Sequence, residues 1–316
     1  MRWGLGALLC VGLVAWPALA TETVSYGYDD LGRLASSSTS GSVNNGLGTS
    51  VSYDAAGNRT NYLVTGSSGS GSESSSFDSA ATTYFAAMTT QPDLARKALI
   101  SVLISGLKAD GVWSKIGWLS LLASHDAQAA RLNAKDPTQA FSVVGSPSFT
   151  ADRGYRDAAG SGSNYLDSGV TLGSSGLASQ NSLFVASWLR SDGSASWRGA
   201  VGTHTTPLAY IISSDSVLYG SAGDGGNLTY STSPQGFAVI SRTDSATKKL
   251  YKNGVLVASD TSGTISLTTG NMRALSTAFG TDGTHMVAAW GAGLSATDVS
   301  NLYNRLNTYL TAIGAN

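Results

Sequence analysis

The chain has 316 residues, room for one large or two modest domains, with 19 basic and 20 acidic residues and only 12% charged side chains. A nearly neutral chain with no basic run lacks the clustered positive charge that phosphate backbones demand, so nucleic acid is not an expected partner. The 38 glycines, set among abundant serine and threonine, give the profile of a secreted, strand-rich and turn-rich protein.

Residues 1–20, "MRWGLGALLCVGLVAWPALA", have a basic start at Arg2, an apolar run from Gly4 to Ala15 and a small-x-small end at Ala18-Leu19-Ala20. This pattern predicts a secretory signal peptide, because the run is shorter than the roughly 20 helical residues that span a bilayer. No later stretch is long and apolar enough to span one. Cleavage would also remove Cys10, the only cysteine, leaving a mature chain that cannot form a disulfide and whose stability must come from burial. The expected location is secreted or cell-surface.

Residues 21–66 read as a β-ribbon of short alternating strands. Turn chemistry lies at Asn44-Asn45-Gly46 and at Gly57-Asn58, where positive φ is tolerated. "YGYDDLGRL" at 26–34 and "YDAAGNRT" at 53–60 are one unit written twice. They resemble the tyrosine-aspartate (YD) repeats of Rhs (rearrangement hotspot) and teneurin-like proteins, down to the Gly-Arg-Leu and Gly-Asn-Arg-Thr endings. In that family many repeats coil into a β-shell, which two units cannot close. Residues 67–76, "SSGSGSESSS", have almost nothing to bury and predict a flexible linker and domain boundary.

Residues 77–135 form a predicted helical lead-in. "SAATTYFAAM" is a short helix, and "QPDLARKALISVLISGLKADG" places Leu94, Ala98, Leu99, Val102, Leu103 and Leu107 at helical spacing between Pro92 and Gly111. Trp113 and Trp118 are expected to pack this lead-in onto the strand-rich region after it, and "DAQAARLN" adds a turn or two. From Phe141 strands dominate: "FSVVG", "NSLFVASWLR", "LAYIIS", "SVLYGS", "NLTYSTS", "GFAVISR", "KKLYKNGVLVASD", "TISLTTG" and "HMVAAWGA" recur at short intervals, the signature of an all-β sandwich or barrel. "SATDVSNLYNRLNTYLTAIG" closes the chain as a helix, with Ser295 and Asp298 at capping-box spacing and a stripe of Val299, Leu302, Tyr303, Leu306, Tyr309, Leu310 and Ile313.

Within residues 136–316, "GYRDAAGSGSNYLDSG", "SLFVASWLRSDG", "KLYKNGVLVAS" and "AAWGAGLSATDVSNLY" stand in the order found in concanavalin A-like lectin and glucanase sandwiches, and resemble their laminin G-like branch. The resemblance implies a mainly β fold, a two-sheet antiparallel jelly-roll sandwich, here with a helical lead-in, a C-terminal helix and an N-terminal ribbon.

Catalysis finds little support. Glucanases of this fold use two glutamates, one to protonate the leaving oxygen and one to attack or activate water. Here the glutamates are Glu22 and Glu73, both outside the sandwich. Asp152 and Asp157 flank a glycine in a loop, where solvated turn roles are expected. His125, His204 and His285 lack zinc spacing, and no Gly-x-Ser-x-Gly elbow joins a strand to a helix. The resemblance implies calcium at a loop rim, and Asp224 and Asn227 of "GSAGDGGN" offer hard oxygen donors, although the same residues also read as ordinary turn formers. Trp197, Tyr210, Tyr219 and Tyr230 lie in neighbouring strands and loops, and rings beside Asp and Asn suit a sugar site. The reading is therefore an exported, non-catalytic adhesion or surface protein binding a glycan or another surface partner. A structural or assembly component and an aspartate-dependent glycosidase are the alternatives.

Overall fold

The computed structural model describes residues 22–41, 46–66, 77–191, 193, 198–203, 205, 209–223, 226–263, 266–275 and 282–316. The predicted signal peptide and the 67–76 linker lie outside them. Two compact units result, Met1–Ser76 and Phe77–Asn316.

The first unit is an antiparallel meander in the order β1 (Glu22–Tyr28), β2 (Leu34–Gly41), β3 (Gly48–Tyr53) and β4 (Arg59–Thr65). The sequence repeat is a structural repeat. Asp29 and Asp54 each open a turn in which the Asp N–H donates to the carbonyl four residues on, at Arg33 and Asn58, and Gly32 and Gly57 donate back to the Asp carbonyl. Each Asp carboxylate then accepts the backbone N–H and a side-chain N–H of that fourth residue. Gly32 and Gly57 have φ of +74° and +86°, which only glycine adopts at no cost. Among the described residues of this unit only Thr39 and Val51 are buried.

The second unit runs α1 (Ser79–Ala86), α2 (Leu94–Ala109), β5 (Ile116–Leu121), α3 (Ala127–Arg131), β6 (Ser142–Val144), β7 (Ser148–Thr150), β8 (Gly154–Arg156), β9 (Tyr165–Thr171), β10 (Leu183–Ser191), β11 (Arg198–Thr203), β12 (Ala209–Ser214), β13 (Val217–Ala222), β14 (Leu228–Ser231), β15 (Gly236–Arg242), β16 (Thr247–Lys252), β17 (Val255–Thr261), β18 (Asn271–Ala274), β19 (Thr284–Gly291) and α4 (Ala296–Ala312). It is a two-sheet antiparallel jelly-roll sandwich. One sheet has the order β17-β16-β15-β10-β19-β8-β7 with β5 also on β19, and the other β14-β13-β12-β11-β18-β9-β6.

The alternation within β10 explains the layering. Leu183 and Val185 face the second sheet, where they meet Val201, Ile211, Leu218 and Met272. Phe184, Ala186 and Trp188 face the other way, onto Ile104 and Leu107 of α2 and Leu302 and Leu306 of α4. β15 and β19 alternate likewise, so the first sheet is covered on both faces. α4 has the predicted capping box, Ser295 Oγ accepting from the Asp298 N–H and Asp298 from the Ser295 N–H. Tyr303 stacks on Trp188 at 5.5 Å between ring centroids. The Asn253-Gly254 turn has both residues at positive φ, and a Cβ at Gly254 would lie 3.0 Å from the Tyr303 ring.

Several expectations are corrected. The stretch 77–135 is not helical throughout, because Ile116–Leu121 is a strand of the first sheet and Trp118 stacks on Trp290. In α2 the buried stripe is Ile100, Leu103, Ile104 and Leu107, while Leu94 and Val102 are exposed; two apolar stripes overlap in this helix and the sheet takes one. The strand expected at 264–270 begins instead at Asn271, and residues 266–270 are not strand. Asp157 is fully buried rather than solvated, binding the Ala159 and Gly162 N–H groups and the Asn164 amide, so it organises the glycine-rich loop. Asp152 pairs with Arg96 at 2.8 Å.

His285, at the start of β19, is 1% exposed, with Nδ1 3.4 Å from Ser187 Oγ. Burial pushes its pKa down from 6.5 to about 3. Between those values the unfolded chain binds a proton that the folded chain refuses, so the histidine's contribution is intact above pH 6.5 and is lost as the pH falls. The expected slope is about 1.4 kcal/mol per pH unit. Urea unfolding at pH 6, 5 and 4 tests this, since His285→Gln should flatten the pH dependence by that amount. An equal slope in both proteins would mean that the folded state accepts the proton.

Candidate functional site

A cavity of about 460 Å³ lies where the start of β5, the loop after α3, the end of β9 with its following turn, and Trp290 of β19 meet. The loop is shaped by Asn133, which is fully buried. Its Oδ1 accepts the N–H groups of Leu119 and Lys135, both at 3.0 Å, and its Nδ2 donates to the Gly117 carbonyl at 3.3 Å. Backbone bonds from Ala134 to the Leu119 carbonyl and from Asn133 to the Gln139 carbonyl complete the closure. One side chain thus replaces the strand partner that this stretch of β5 would otherwise need.

This closure presents Lys135, Asp136 and Gln139 to the cavity. Asp136 Oδ1 accepts from the Thr138 N–H and hydroxyl, at 3.2 and 2.7 Å, and Oδ2 has no partner among the described residues. Lys135 Nζ donates to the Trp113 carbonyl at 2.8 Å and lies 4.9 Å from the Trp113 ring centroid. Burial, then the nearby Lys108 charge, holds its pKa below the ordinary lysine value.

Trp118 and Trp290 are cross-strand partners stacked 4.8 Å apart at 14°, and they are 1% and 2% exposed. One face of each indole covers the other's, and both residues line the cavity. Gly117 completes the wall, since a Cβ there would lie 2.6 Å from Ser175 Oγ. The lining combines hydroxyl, carboxylate, amide and ammonium groups with apolar side chains, in a volume typical of small-molecule sites. It has one carboxylate, Asp136, whereas the two-carboxylate route of glycoside hydrolysis needs a pair.

The residues singled out in the sequence fall elsewhere. Trp197 and Asp224 lie outside the described residues. Tyr210 is 6% exposed, and its hydroxyl donates to Asn227 Oδ1 at 2.8 Å. Tyr219 shares that face, being opposite Ile212 while Tyr210 is opposite Ser221. Tyr230 is opposite Leu218, a core residue, so the β13–β14 register turns it to the other face. The structure therefore brings Tyr210, Asn227 and Tyr219 together and separates Tyr230.

Of the two donors expected to hold calcium at this loop, Asn227 is among the described residues. Asn227 Oδ1 accepts from the Tyr210 hydroxyl, and the Gly226 carbonyl accepts from the Lys248 ammonium at 3.0 Å. Among the described residues no group of three or more His, Cys, Asp or Glu is placed to hold a metal. No helix among them is long and apolar enough to cross a membrane.

No family model matches the chain, and no curated protein matches it. Among solved structures it is similar to the botulinum neurotoxin serotype D binding domain, with 10% identity, TM-score 0.42, and 61% of this chain and 52% of that chain covered. It is also similar to Trypanosoma rangeli sialidase (9%, TM-score 0.46, 68% and 40%) and to the binding domain of Paraclostridial Mosquitocidal Protein 1 (13%, TM-score 0.40, 61% and 53%). The chain thus spans about half the length of these structures or less. Likeness of this degree says nothing of ligand or activity.

Asn133→Ala would leave the Leu119 N–H and the Gly117 carbonyl without their side-chain partner, a cost of about 1–3 kcal/mol. The expected result is a lower melting temperature together with loss of amide-exchange protection at Leu119 and Lys135, while β12 and β13 keep theirs. Unchanged protection at both amides would show that the loop is held by something other than Asn133.

Proposed function

We propose that this is an exported surface protein that binds carbohydrate and does no covalent chemistry, holding part of a glycan in the cavity edged by Lys135, Asp136, Gln139 and the Trp118–Trp290 pair. The supporting observation is the lining itself. Sugar hydroxyls need closely spaced donors and acceptors, pyranose C–H groups need apolar contact, and this cavity has both within about 460 Å³. Its single carboxylate favours binding over two-carboxylate hydrolysis. In the same reading, Phe77–Asn316 is a laminin G-like sandwich and the N-terminal ribbon a pair of tyrosine-aspartate repeats, delivered outside the cell by the leader at 1–20.

A second reading, a role in assembly, is favoured by a specific observation: among the described residues, β1 and β4 of the N-terminal sheet each have a strand partner on one edge alone. The two readings concern different units and do not exclude each other.

The test is a glycan-array screen of the whole chain, wild type beside Asp136→Ala and Gln139→Ala, with calcium and with chelator. Binding is expected, reduced at least tenfold by Asp136→Ala through loss of a charged hydrogen-bond acceptor. Chelator should leave binding at this cavity unchanged, because its lining offers a single carboxylate. Absence of any glycan signal, or binding indifferent to both substitutions, would overturn the assignment to this cavity, and binding lost on chelation would return the search to the 224–227 loop.

A further inference from the structure

The N-terminal meander is a repeat whose internal junction is complete and whose outer edges are the two halves of the same junction. The offset between its units is 25 residues: Tyr28 corresponds to Tyr53, Asp29 to Asp54 and Gly32 to Gly57. At the internal junction β2 pairs with β3, Ser36 opposite Ser50 and Ser37 opposite Thr49. Tyr53 locks it. Its hydroxyl donates to the Leu34 carbonyl at 2.9 Å, and the Arg33 guanidinium lies 4.4 Å from its ring centroid.

Tyr28, the equivalent of Tyr53, is 62% exposed and makes no hydroxyl or ring contact among the described residues. It lies at the end of β1, whose far edge has no strand partner in the described sheet, and β4 at the opposite end is open in the same way. Neither edge has a lysine or proline, and the one charged residue of each strand, Glu22 and Arg59, stands at its first position, so the remaining positions of ETVSYGY and RTNYLVT carry none of the charges with which exposed strands commonly avoid pairing. Tyr26, Tyr62, Val24 and Val64 are all exposed, so the sheet also lacks the buried face that an independent meander needs.

We propose that copies of this chain join head to tail, β4 of one copy pairing antiparallel with β1 of the next so that the β2–β3 junction is repeated between molecules. The offset fixes the register: Asn61 stands opposite Ser25 of the second copy, and Tyr62 opposite Val24. Tyr28 of the second copy takes the place that Tyr53 holds internally, its hydroxyl reaching the Arg59 carbonyl, which corresponds to that of Leu34. Because the two surfaces differ, the contact is heterologous and extends past two copies, into a ring or an open series rather than a closed dimer.

Sedimentation of the full chain over a range of concentrations should show an average mass that rises past the dimer. Tyr28→Ala should weaken association about tenfold while leaving the melting of the Phe77–Asn316 unit unchanged, and Tyr28→Phe should fall between the two. Register is read by disulfide trapping in a Cys10→Ser background. Ser25→Cys and Asn61→Cys proteins should cross-link efficiently only when mixed, since directly opposed strand residues lie within disulfide reach. A monomer at every concentration overturns the proposal. So does cross-linking of either single-cysteine protein with itself, which would mean that like edges pair, and so does association indifferent to Tyr28.

Discussion

The two-sided burial of the first sheet of Phe77–Asn316 is the constraint on which the rest of that unit depends. Strands β10, β15 and β19 are apolar at consecutive positions, not alternate ones, and a sheet of that kind must be covered on both faces. The second sheet covers one. The other takes helices from opposite ends of the unit, α1 and α2 before the sandwich and α4 after it. Ion pairs tie them together, Arg305 to Asp110 between α4 and the end of α2, and Lys115 to Asp298 between the entry of β5 and the cap of α4. Those contacts are part-exposed and contribute modestly. The apolar residues between helices and sheet are nearly solvent-free, and at about 1.5–3 kcal/mol for each large side chain they dominate.

The cavity is a by-product of the same arrangement. One edge of β19 is shared, with β5 beside Val287–Gly291 and β8 beside His285. The chain arrives from the helical layer, lays down β5, and must then leave the sheet through α3 to begin the second one. Its return loop is where Asn133 turns the backbone and points Lys135, Asp136 and Gln139 outward. A sandwich without the lead-in would have neither β5 nor that loop. The helices that complete the core therefore also create the polar wall of the candidate site.

This explains which features are legible in the sequence. β10, β15, β19 and α4 announce themselves because local pattern and tertiary role agree: short apolar runs between turn formers, and a capped amphipathic stripe. β5 does not, since "IGWLSL" comes after a helix and reads as more of its packing surface; only its pairing with β19 reveals a strand. The stripe of α2 is ambiguous for a related reason, two apolar rows being present and the choice between them made by the sheet. Tyr230 shows the limit at single residues. Its position in a strand is readable, but its face depends on register with β13, which no local pattern states. Asn133, Lys135, Asp136 and Gln139 leave only the turn-forming run "NAKDP" as a trace, because the other walls of the cavity come from segments tens of residues away.

The N-terminal sheet obeys a different logic. The β1–β2 and β3–β4 hairpins are specified locally: the aspartate carboxylate satisfies the turn's own N–H groups, and glycine supplies the positive φ, so the register of those two pairs needs no core to define it. Specification is not stabilisation, however. A four-stranded sheet with one buried apolar residue among those described gains little from burial, and the hydrogen bonds within it replace bonds to water at a net gain of about 1 kcal/mol each. Cation–π contacts such as Arg33 on Tyr53 and Arg59 on Tyr62 add increments of similar size or less. Ordering the backbone costs about 1–2 kcal/mol per residue, so a surface this exposed has its shape encoded and its stability deferred to whatever covers its faces and edges.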